Sequence, residues 1–320
     1  MEKEKLIITG SSGLVGSRIV DLLSPYFDFH GLGTKEKPTH FGHQNLTEYT
    51  KCSILDPKKL EEVIATTSAT TIIHLAALVD LDIAEQTRHL GENSLWWQVN
   101  VEGTRNVAEL ARKYNKKIIY ASSDYIFEGD NGPYCEDDRV VDDPSKFCFY
   151  AETKLAGERV ISEICEDWLS VRFSIPFRSY FPYKTDRART VVEKFIKGED
   201  AVYFADQTIS PCLIDDLATF YKFLIERSDI KGIIHFAGQF DTPPSPYSFA
   251  KEIIERFYQK GSEVKSGSFQ KYRISPEGRS KAPRPLRAGL YSTRLAGLGF
   301  RIPTLLEEIE NFYNQCLLIN

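Results

Sequence analysis

Short apolar runs alternate with amphipathic segments along the first half of the chain. Residues 6–9, 70–77 and 117–121 are rich in isoleucine and other apolar residues, which is the pattern of buried strands. Between these runs, apolar residues recur at helical spacing, as they do after residues 13, 56 and 99. Because strands that alternate with helices are joined by crossover connections, the pattern predicts an α/β fold with a parallel, doubly wound sheet.

A glycine-rich turn joins the first strand to the first helix. Glycine lets the backbone approach a pyrophosphate closely, and the start of a helix offers unpaired N–H groups to it. A strand, a glycine turn and a helix in this order are the context of a dinucleotide-binding fingerprint, which predicts a Rossmann-type domain. We expect the turn to hold the cofactor through Gly10, Ser11, Ser12, Gly13, Leu14, Val15 and Gly16.

The second strand, residues 28–32, bears on the choice of nicotinamide cofactor. NAD sites usually end this strand with an acidic residue that binds the ribose hydroxyls. Here Gly33 lies near that position, and Thr34 and Lys35 follow it. A cation without an acid suits a 2′-phosphate, so we expect NADP(H) to be preferred. NAD(H) remains the alternative, because Lys35 could equally be a solvated loop residue.

The strand at residues 70–77 ends in small side chains. Such residues at the carboxyl end of a strand let a flat cofactor lie against the backbone. His74 is interpreted as a core histidine. The other expected cofactor contacts are Thr34, Lys35, Ser53, Ile54, Leu75, Ala76, Ala77, Asn100, Ser122, Tyr150 and Lys154.

Two motifs carry candidate chemistry. Tyr150 and Lys154 are four residues apart at the start of a predicted helix, so they share one helix face. An ammonium nearby lowers the pKa of a phenol from its ordinary value of about 10, which favours proton transfer. Ser122 and Ser123 follow the strand at 117–121, at the end where α/β sheets place their active sites. A serine hydroxyl there can hold a carbonyl or alcohol oxygen while the proton moves.

Composition excludes several classes of protein. The chain has 320 residues, 42% of them apolar, and a net charge of −5, which describes an ordinary globular protein and argues against nucleic-acid binding. It contains no apolar run of about 18 residues and no signal-peptide pattern at its start. The six cysteines show neither CxxC nor metal-type spacing. We therefore expect reduced thiols, a cytoplasmic location, no membrane contact and no metal site; a homodimer is compatible with the sequence.

The remainder of the chain is expected to contain a smaller C-terminal substrate lobe. We predict that the Rossmann-type domain comprises residues 1–178 with parts of 209–238 and 288–320. The lobe is then formed by 179–208 and 239–287. A helix predicted at 305–317 has an apolar stripe that should pack against the rest of the chain.

The motifs taken together resemble those of the extended short-chain dehydrogenase/reductase family. They are the three glycines, Leu75-Ala76-Ala77, Asn100-Val101-x-Gly103-Thr104, Ser122-Ser123-Asp124 and Tyr150-x-x-x-Lys154. Within that family, residues 122–129, 132–138 and 150–158 are similar to the dTDP-4-dehydrorhamnose reductases. The similarity continues through 207–211, 215–218, 235–238 and 284–285, and so extends over nearly the whole chain.

This resemblance implies a reductase of a nucleotide-activated 4-keto-sugar. Tyr150 would give its proton to the keto oxygen. Lys154 would bind the nicotinamide ribose and lower the pKa of Tyr150, and Ser123 would hold the substrate oxygen. Asp124 and Tyr125 would face the substrate. The hydride would come from the nicotinamide.

Two departures from the family pattern concern the substrate. Ile175 stands where these reductases tend to have tryptophan, and Arg178 replaces a small residue. Loss of an aromatic wall and gain of a guanidinium argue for a more polar or acidic sugar. We expect Arg178 to contact the substrate, together with Arg284, whose backbone is stiffened by a proline on each side.

Two alternatives stay open. The regulatory subunit of methionine adenosyltransferase resembles the same reductases and binds NADP without an established catalytic need. An intact set of Ser123, Tyr150 and Lys154 favours the enzyme over this alternative. An epimerase or dehydratase of the same fold is the other alternative, although Asp124 and Tyr125 match the extra acid–base pair of a dehydratase only in part.

Overall fold

The computed structural model describes residues 2–36, 43–141, 143–258, 265–267 and 282–317. Contacts divide the chain into two compact units. Unit 1 comprises residues 1–126, 147–172 and 218–234, and unit 2 comprises 127–146, 173–217 and 235–320. The domain boundaries expected from the sequence differ from these contact-based ones and stay a prediction.

Helices separate β1 from β2, β3 from β4 and β4 from β5, as the hydrophobic pattern predicts. The strands are β1 (Glu4–Thr9), β2 (Phe27–Gly33), β3 (Glu48–Lys51), β4 (Thr71–His74), β5 (Lys117–Ser123), β6 (Trp168–Phe177), β7 (Val202–Phe204), β8 (Pro211–Leu213), β9 (Gly232–Phe236) and β10 (Lys265–Gly267). The helices are α1 (Leu14–Leu23), α2 (Pro57–Thr66), α3 (Leu81–Gln86), α4 (Leu95–Trp97), α5 (Gly103–Lys113), α6 (Phe149–Ile164), α7 (Arg187–Ile196), α8 (Ile214–Ile225), α9 (Pro246–Tyr258), α10 (Thr293–Gly297) and α11 (Leu305–Leu317). A π-helical turn at Gln98–Glu102 separates α4 from α5.

Unit 1 is built on a parallel sheet. Its strand order is β3-β2-β1-β4-β5-β6, and each neighbouring pair from β3 to β5 is parallel. The order reverses at β1, because β2 lies on one side of it and β4 on the other. Ligands of open α/β sheets bind at the carboxyl ends of the strands beside such a reversal. The predicted α/β class and doubly wound sheet are therefore confirmed.

The helices of unit 1 each bury one apolar face against the sheet or a neighbouring helix. In α2, for example, Leu60, Val63 and Ile64 are buried while the residues between them are more exposed, which follows from helical spacing. The α2 helix begins where the Asp56 side chain accepts a hydrogen bond from the Lys59 N–H at 3.1 Å. One apolar cluster joins these residues to Ile72, Ile118, Val107, Ala111, Val160 and Ile161.

Unit 2 has its own apolar core. Phe177, at the end of β6, packs edge-on against Phe249 of α9 and Phe312 of α11. The predicted C-terminal helix is confirmed as α11, whose buried residues include Ile309 and Phe312. Beside this core, β8 pairs in parallel with the end of β6, and the register shifts between Ser174 and Pro176.

Three further observations bear on the class of protein. No helix in the described part of the chain is long and apolar enough to cross a membrane. The same residues contain no group of histidine, cysteine and acidic side chains that could hold a metal ion. All six cysteines are free, and four of them are buried.

Candidate active site

The glycine turn between β1 and α1 has the geometry of a phosphate cradle. Gly10 has a φ of +69°, and a Cβ there would lie 2.8 Å from the backbone nitrogen of Ala76. A Cβ on Gly16 would run into the carbonyl oxygen of Gly10. Any side chain at these two positions would therefore push the turn away from β4 or α1. Glycine is required at both positions because the backbone approaches its neighbours closely, as the dinucleotide-binding fingerprint predicts.

The start of α1 has no capping side chain. Its N-cap residue, Gly13, has no side chain to cap the helix, and its first turn contains no acidic residue. Beside it, the buried hydroxyl of Ser11 has no hydrogen-bond partner among the described residues. An uncapped helix start and an unpartnered serine hydroxyl beside a glycine turn fit the pyrophosphate of a dinucleotide.

An acidic residue at the carboxyl end of β2 would have to displace the side chain of Tyr49. A Cβ on Gly33 would lie 2.8 Å from the hydroxyl of Tyr49 in the neighbouring strand β3. That hydroxyl donates a hydrogen bond of 2.8 Å to the carbonyl oxygen of Lys35. Thr34 and Lys35 are exposed immediately beyond. The Tyr49 side chain thus lies near the position of the acidic residue in NAD sites, and its hydrogen bond fixes the backbone at Lys35. No sequence pattern indicates this contact.

Ser123 and Tyr150 meet in the buried interior of unit 1. Ser123 ends β5, and Tyr150 lies in the first turn of α6; they are 6% and 8% exposed. A hydrogen bond joins the Tyr150 hydroxyl and the Ser123 side chain. The Ser123 hydroxyl also donates to the Asp124 carboxylate at 3.2 Å and accepts from the Tyr125 N–H at 3.3 Å. The predicted hydroxyl pair is therefore brought together.

Burial dominates the protonation of Tyr150 in the free protein. It raises the pKa of this phenol well above its ordinary value, and the hydrogen bond with Ser123 acts in the opposite direction. Lys154 is not among the groups that shift the pKa of Tyr150 most. The lowering of that pKa by Lys154 stays a prediction, and with its raised pKa Tyr150 is a neutral proton donor.

Lys154 lies one turn after Tyr150 and is itself buried, with 3% of its surface exposed. Its ammonium lies 4.0 Å from the centroid of the Tyr120 ring. Burial lowers the pKa of Lys154 to about 7, against the charge of Glu158, which raises it. Lys154 therefore changes its charge close to neutral pH.

Asn100 lies in the π-helical turn and forms hydrogen bonds with residues on two sides of the site. Its side-chain amide accepts from the Leu78 N–H at 2.8 Å, and donates to the Leu78 carbonyl at 3.0 Å and to Thr153 at 2.9 Å. The Thr153 hydroxyl donates in turn to the carbonyl of Tyr150. A π-helical turn often marks a functional site, because it displaces one residue from regular spacing. Asn100 connects the loop after β4 to α6, and its contact with a cofactor stays a prediction.

His74 is a satisfied core histidine, as interpreted from the sequence. It is 1% exposed, and its ring nitrogens contact the hydroxyls of Thr9 at 2.7 Å and Thr104 at 3.0 Å. Burial lowers its pKa to about 3, with a smaller effect of Lys154 in the same direction. His74 thus stays neutral and links β1, β4 and α5.

The remaining cofactor candidates lie where the sheet order places them. Ser53 follows β3, and Leu75, Ala76 and Ala77 follow β4, all half-buried at the carboxyl end of the sheet. Ile54 is buried, and Ile54 side-chain atoms fill the space that a Cβ on Gly103 would need. Ser122 is buried beside Ser123, and its side chain forms a hydrogen bond that lowers the pKa of the Glu158 carboxyl.

The substrate candidates divide between the two units. In unit 1, the ring of Tyr125 lies edge-on to that of Tyr150, with centroids 6.4 Å apart, and Asp124 is 2% exposed. In unit 2, Arg178 is 3% exposed, and its guanidinium lies 5.5 Å from the centroid of Phe181. Arg284 is half-buried. Contact of any of these residues with a substrate stays a prediction.

Ile175, one of the two departures from the family pattern, has an unusual backbone conformation. It has a φ of +42°, in a region that β-branched residues rarely enter. It also falls at the register shift between Ser174 and Pro176. Strained residues and bulges of this kind cluster at functional sites, because they re-aim side chains. The sequence contains no signal of this strain.

Fold and site together define a dinucleotide-binding protein with the Ser–Tyr–Lys set of short-chain reductases. The sequence matches the RmlD substrate binding domain family over residues 4–317, so the chain belongs to that family. The resemblance found in its motifs is thereby confirmed.

Individual relatives fall into two groups. Methionine adenosyltransferase 2 subunit beta from Xenopus laevis is 27% identical over 310 residues, which cover 93% of this chain and 84% of that protein. A dTDP-4-dehydrorhamnose reductase from Aggregatibacter actinomycetemcomitans is 26% identical over 258 residues, covering 78% of each. Among solved structures, dTDP-4-dehydrorhamnose reductase from Bacillus anthracis in complex with NADP has a TM-score of 0.81 and 26% identity, covering 98% of this chain and all of that one.

Proposed function

We propose that the protein is an NADP(H)-dependent reductase of a nucleotide-activated 4-keto-sugar. The observation that carries the proposal is the buried contact between Ser123 and Tyr150, with Lys154 one helical turn away. These three side chains combine a hydroxyl for the substrate oxygen, a proton donor and a cation. A protein that only bound the nucleotide would have no need for the first two.

The proposed mechanism follows from the protonation of these groups. When bound, the cofactor supplies a hydride from its nicotinamide ring. The keto oxygen lies between Ser123 and Tyr150, which hold it by hydrogen bonds. Tyr150, neutral in the free protein, gives its proton to that oxygen as negative charge develops there. The Ser123 hydroxyl turns from Asp124 to donate to the same oxygen.

Lys154 has two roles in this proposal. Its ammonium binds the ribose hydroxyls of the cofactor, and it stabilises the phenolate that Tyr150 becomes after proton transfer. Both roles require charge. Because burial lowers the pKa of Lys154 to about 7, the reaction should slow as the pH rises above neutrality unless a bound cofactor raises that pKa again.

The preference for NADP(H) rests on the end of β2. Gly33 replaces the acid that NAD sites use, and any side chain there would displace the Tyr49 hydroxyl. Lys35 lies exposed nearby. Binding of NADP by the Bacillus anthracis protein supports the same choice. NAD(H) remains the alternative cofactor.

The proposed substrate is a nucleotide-linked keto-sugar more polar or acidic than dTDP-4-dehydrorhamnose. Arg178 and Arg284 are the candidate anion contacts, Asp124 and Tyr125 the candidate sugar contacts. Strain at Ile175 supports a role for this stretch in recognition, because strained backbone clusters at functional sites.

The test compares variants of the proton donor and the cation. Tyr150→Phe keeps the ring and removes the proton, so NADPH oxidation with a panel of nucleotide keto-sugars should fall at least a thousandfold while NADPH affinity changes little. Lys154→Met should reduce both, because it also removes a ribose contact. The matched control is Tyr114→Phe, which removes a phenol hydroxyl that donates to Glu61 outside the site and leaves the proton donor in place. Near-normal turnover by Tyr150→Phe would refute the mechanism.

A regulatory subunit that binds NADP is the second candidate. The similarity to methionine adenosyltransferase 2 subunit beta over 93% of the chain favours it. The panel separates the two functions: a purified protein that binds NADPH tightly, yet turns over none of the sugars faster than Tyr150→Phe does, would support the regulatory subunit.

A further inference from the structure

Tyr120 presents the face of its ring to the buried ammonium of Lys154. The residue lies in the middle of β5 and is 1% exposed. The Lys154 nitrogen is 4.0 Å from the ring centroid, well inside the distance at which a ring face attracts a cation. The hydroxyl of Tyr120 donates to the backbone carbonyl of Lys154 at 3.4 Å. One side chain therefore contacts both ends of the lysine.

The fit depends on a glycine in the facing helix. A Cβ on Gly157 would lie 2.6 Å from the Tyr120 hydroxyl and 2.8 Å from the carbonyl oxygen of Asn100. Gly157 thus lets β5 and α6 approach closely enough for the ring to reach under Lys154. On its other side, the ring lies against His74, with centroids 5.7 Å apart. The ring has little freedom to move away from the ammonium.

We propose that Tyr120 is a positioning residue for Lys154, whose ammonium its ring holds in place and in the charged form. The inference rests on the proposed function, because it deepens the role of Lys154 there. Burial alone favours the neutral amine, which could neither bind ribose hydroxyls as a cation nor stabilise a phenolate. The ring face supplies attraction without placing a carboxylate beside the substrate.

Among the other ionisable groups near Lys154, Glu158 favours the charged form of the lysine, so the ring acts in addition to it. His74, which reaches the lysine from β4, is neutral with both nitrogens engaged. Glu158, one turn along α6, raises the pKa of Lys154, but its carboxylate is already paired with Arg172 from β6. Tyr150, on the same helix, is neutral in the free protein. Asp124 acts on Tyr150 and raises its pKa.

The experiment measures the pH dependence of NADPH binding. Tyr120→Phe keeps the ring face and removes the hydroxyl, whereas Tyr120→Leu removes the face. The dissociation constant of NADPH is determined by fluorescence from pH 5.0 to 9.5 for both variants and the wild type. Lys154→Met identifies the part of the profile that belongs to the lysine. We expect the midpoint of Tyr120→Phe to stay at the wild-type value. The midpoint of Tyr120→Leu should fall by about one pH unit, with binding about tenfold weaker above it.

A second series covers the case in which Tyr120→Leu does not fold. Phenylalanine with increasing numbers of fluorine atoms, incorporated at position 120, weakens the ring face stepwise with little change in shape. The midpoint should fall in step with fluorination. Equal midpoints along this series, or equal midpoints for Tyr120→Leu and Tyr120→Phe, would overturn the inference. Turnover is followed in parallel with Tyr150→Phe: if that variant keeps turnover the proposed function fails, while the NADPH midpoints still decide the role of Tyr120.

Discussion

Replacing Glu158 should cost unit 1 much of its stability, because this residue forms a buried ion pair with Arg172. The two residues are 5% and 2% exposed. Two guanidinium nitrogens of Arg172 contact the carboxylate, and the Ser170 hydroxyl donates to it at 2.6 Å. Glu158→Gln removes the countercharge and leaves a buried guanidinium, which typically costs about 3–5 kcal/mol. A domain stabilised by roughly 5–15 kcal/mol would lose a large part of its margin.

A double-mutant cycle separates the interaction free energy of Glu158 and Arg172 from the effect of each residue alone. In Glu158→Gln/Arg172→Met no unpaired charge stays buried, so the loss should be much smaller than the sum of the single losses. The free energy of unfolding of each variant is measured by urea unfolding at pH 7.5, followed by tryptophan fluorescence. Trp96, Trp97 and Trp168 are the three tryptophans of the chain and all belong to unit 1, so the signal reports that unit. The matched control is Glu61→Gln, which breaks an exposed ion pair with Lys113 and should leave the midpoint unchanged.

The pH dependence of this pair has a definite sign. Burial alone would raise the pKa of Glu158, but Arg172 and the hydrogen bonds hold it below its ordinary value. Its contribution to stability is therefore complete above about pH 4.5 and is lost only as the pH falls through the lower pKa of the folded state. Additive losses in the cycle, or a loss below about 1 kcal/mol in Glu158→Gln, would refute this account of the pair.

Three further predictions concern cofactor, substrate and unit 2. Lys35→Glu should narrow or reverse a preference for NADPH over NADH of roughly tenfold or more, because a charge-assisted bond to phosphate is lost; equal dissociation constants of the wild type for both cofactors in calorimetry would contradict it. Arg178→Gly should raise the turnover of dTDP-4-dehydrorhamnose relative to that of acidic nucleotide keto-sugars in an NADPH-oxidation assay. An unchanged ranking of the sugars by turnover would count against an anion contact by Arg178. Burial, with Asp215 and Glu307 nearby, raises the pKa of Asp216 to about 6, so its contribution favours folding below its ordinary pKa and is lost as the pH rises through about 6. Asp216→Asn should therefore flatten the fall in thermal stability between about pH 4 and 6. A slope equal to that of the wild type would argue against this role of Asp216.

The sequence alone predicts those parts of the fold and the site that depend on residues close together in the chain. Gly10 follows a strand and precedes a helix, so its role in a close turn is readable from the chain and is confirmed by its positive φ. The spacing of Tyr150 and Lys154 follows from helical periodicity alone. The stripe of residues 305–317 predicts α11 for the same reason. Each of these features depends on residues within a few positions of one another.

Only the tertiary structure decides which distant residues meet. The ring of Tyr120 lies against Lys154, and Arg172 against Glu158, because β5 and β6 run beside α6; nothing in the spacing of these residues indicates it. The charge of Lys154 depends on this burial and these partners. A sequence can therefore predict that a lysine is available, while the packing around it determines whether it is charged at the pH of the reaction.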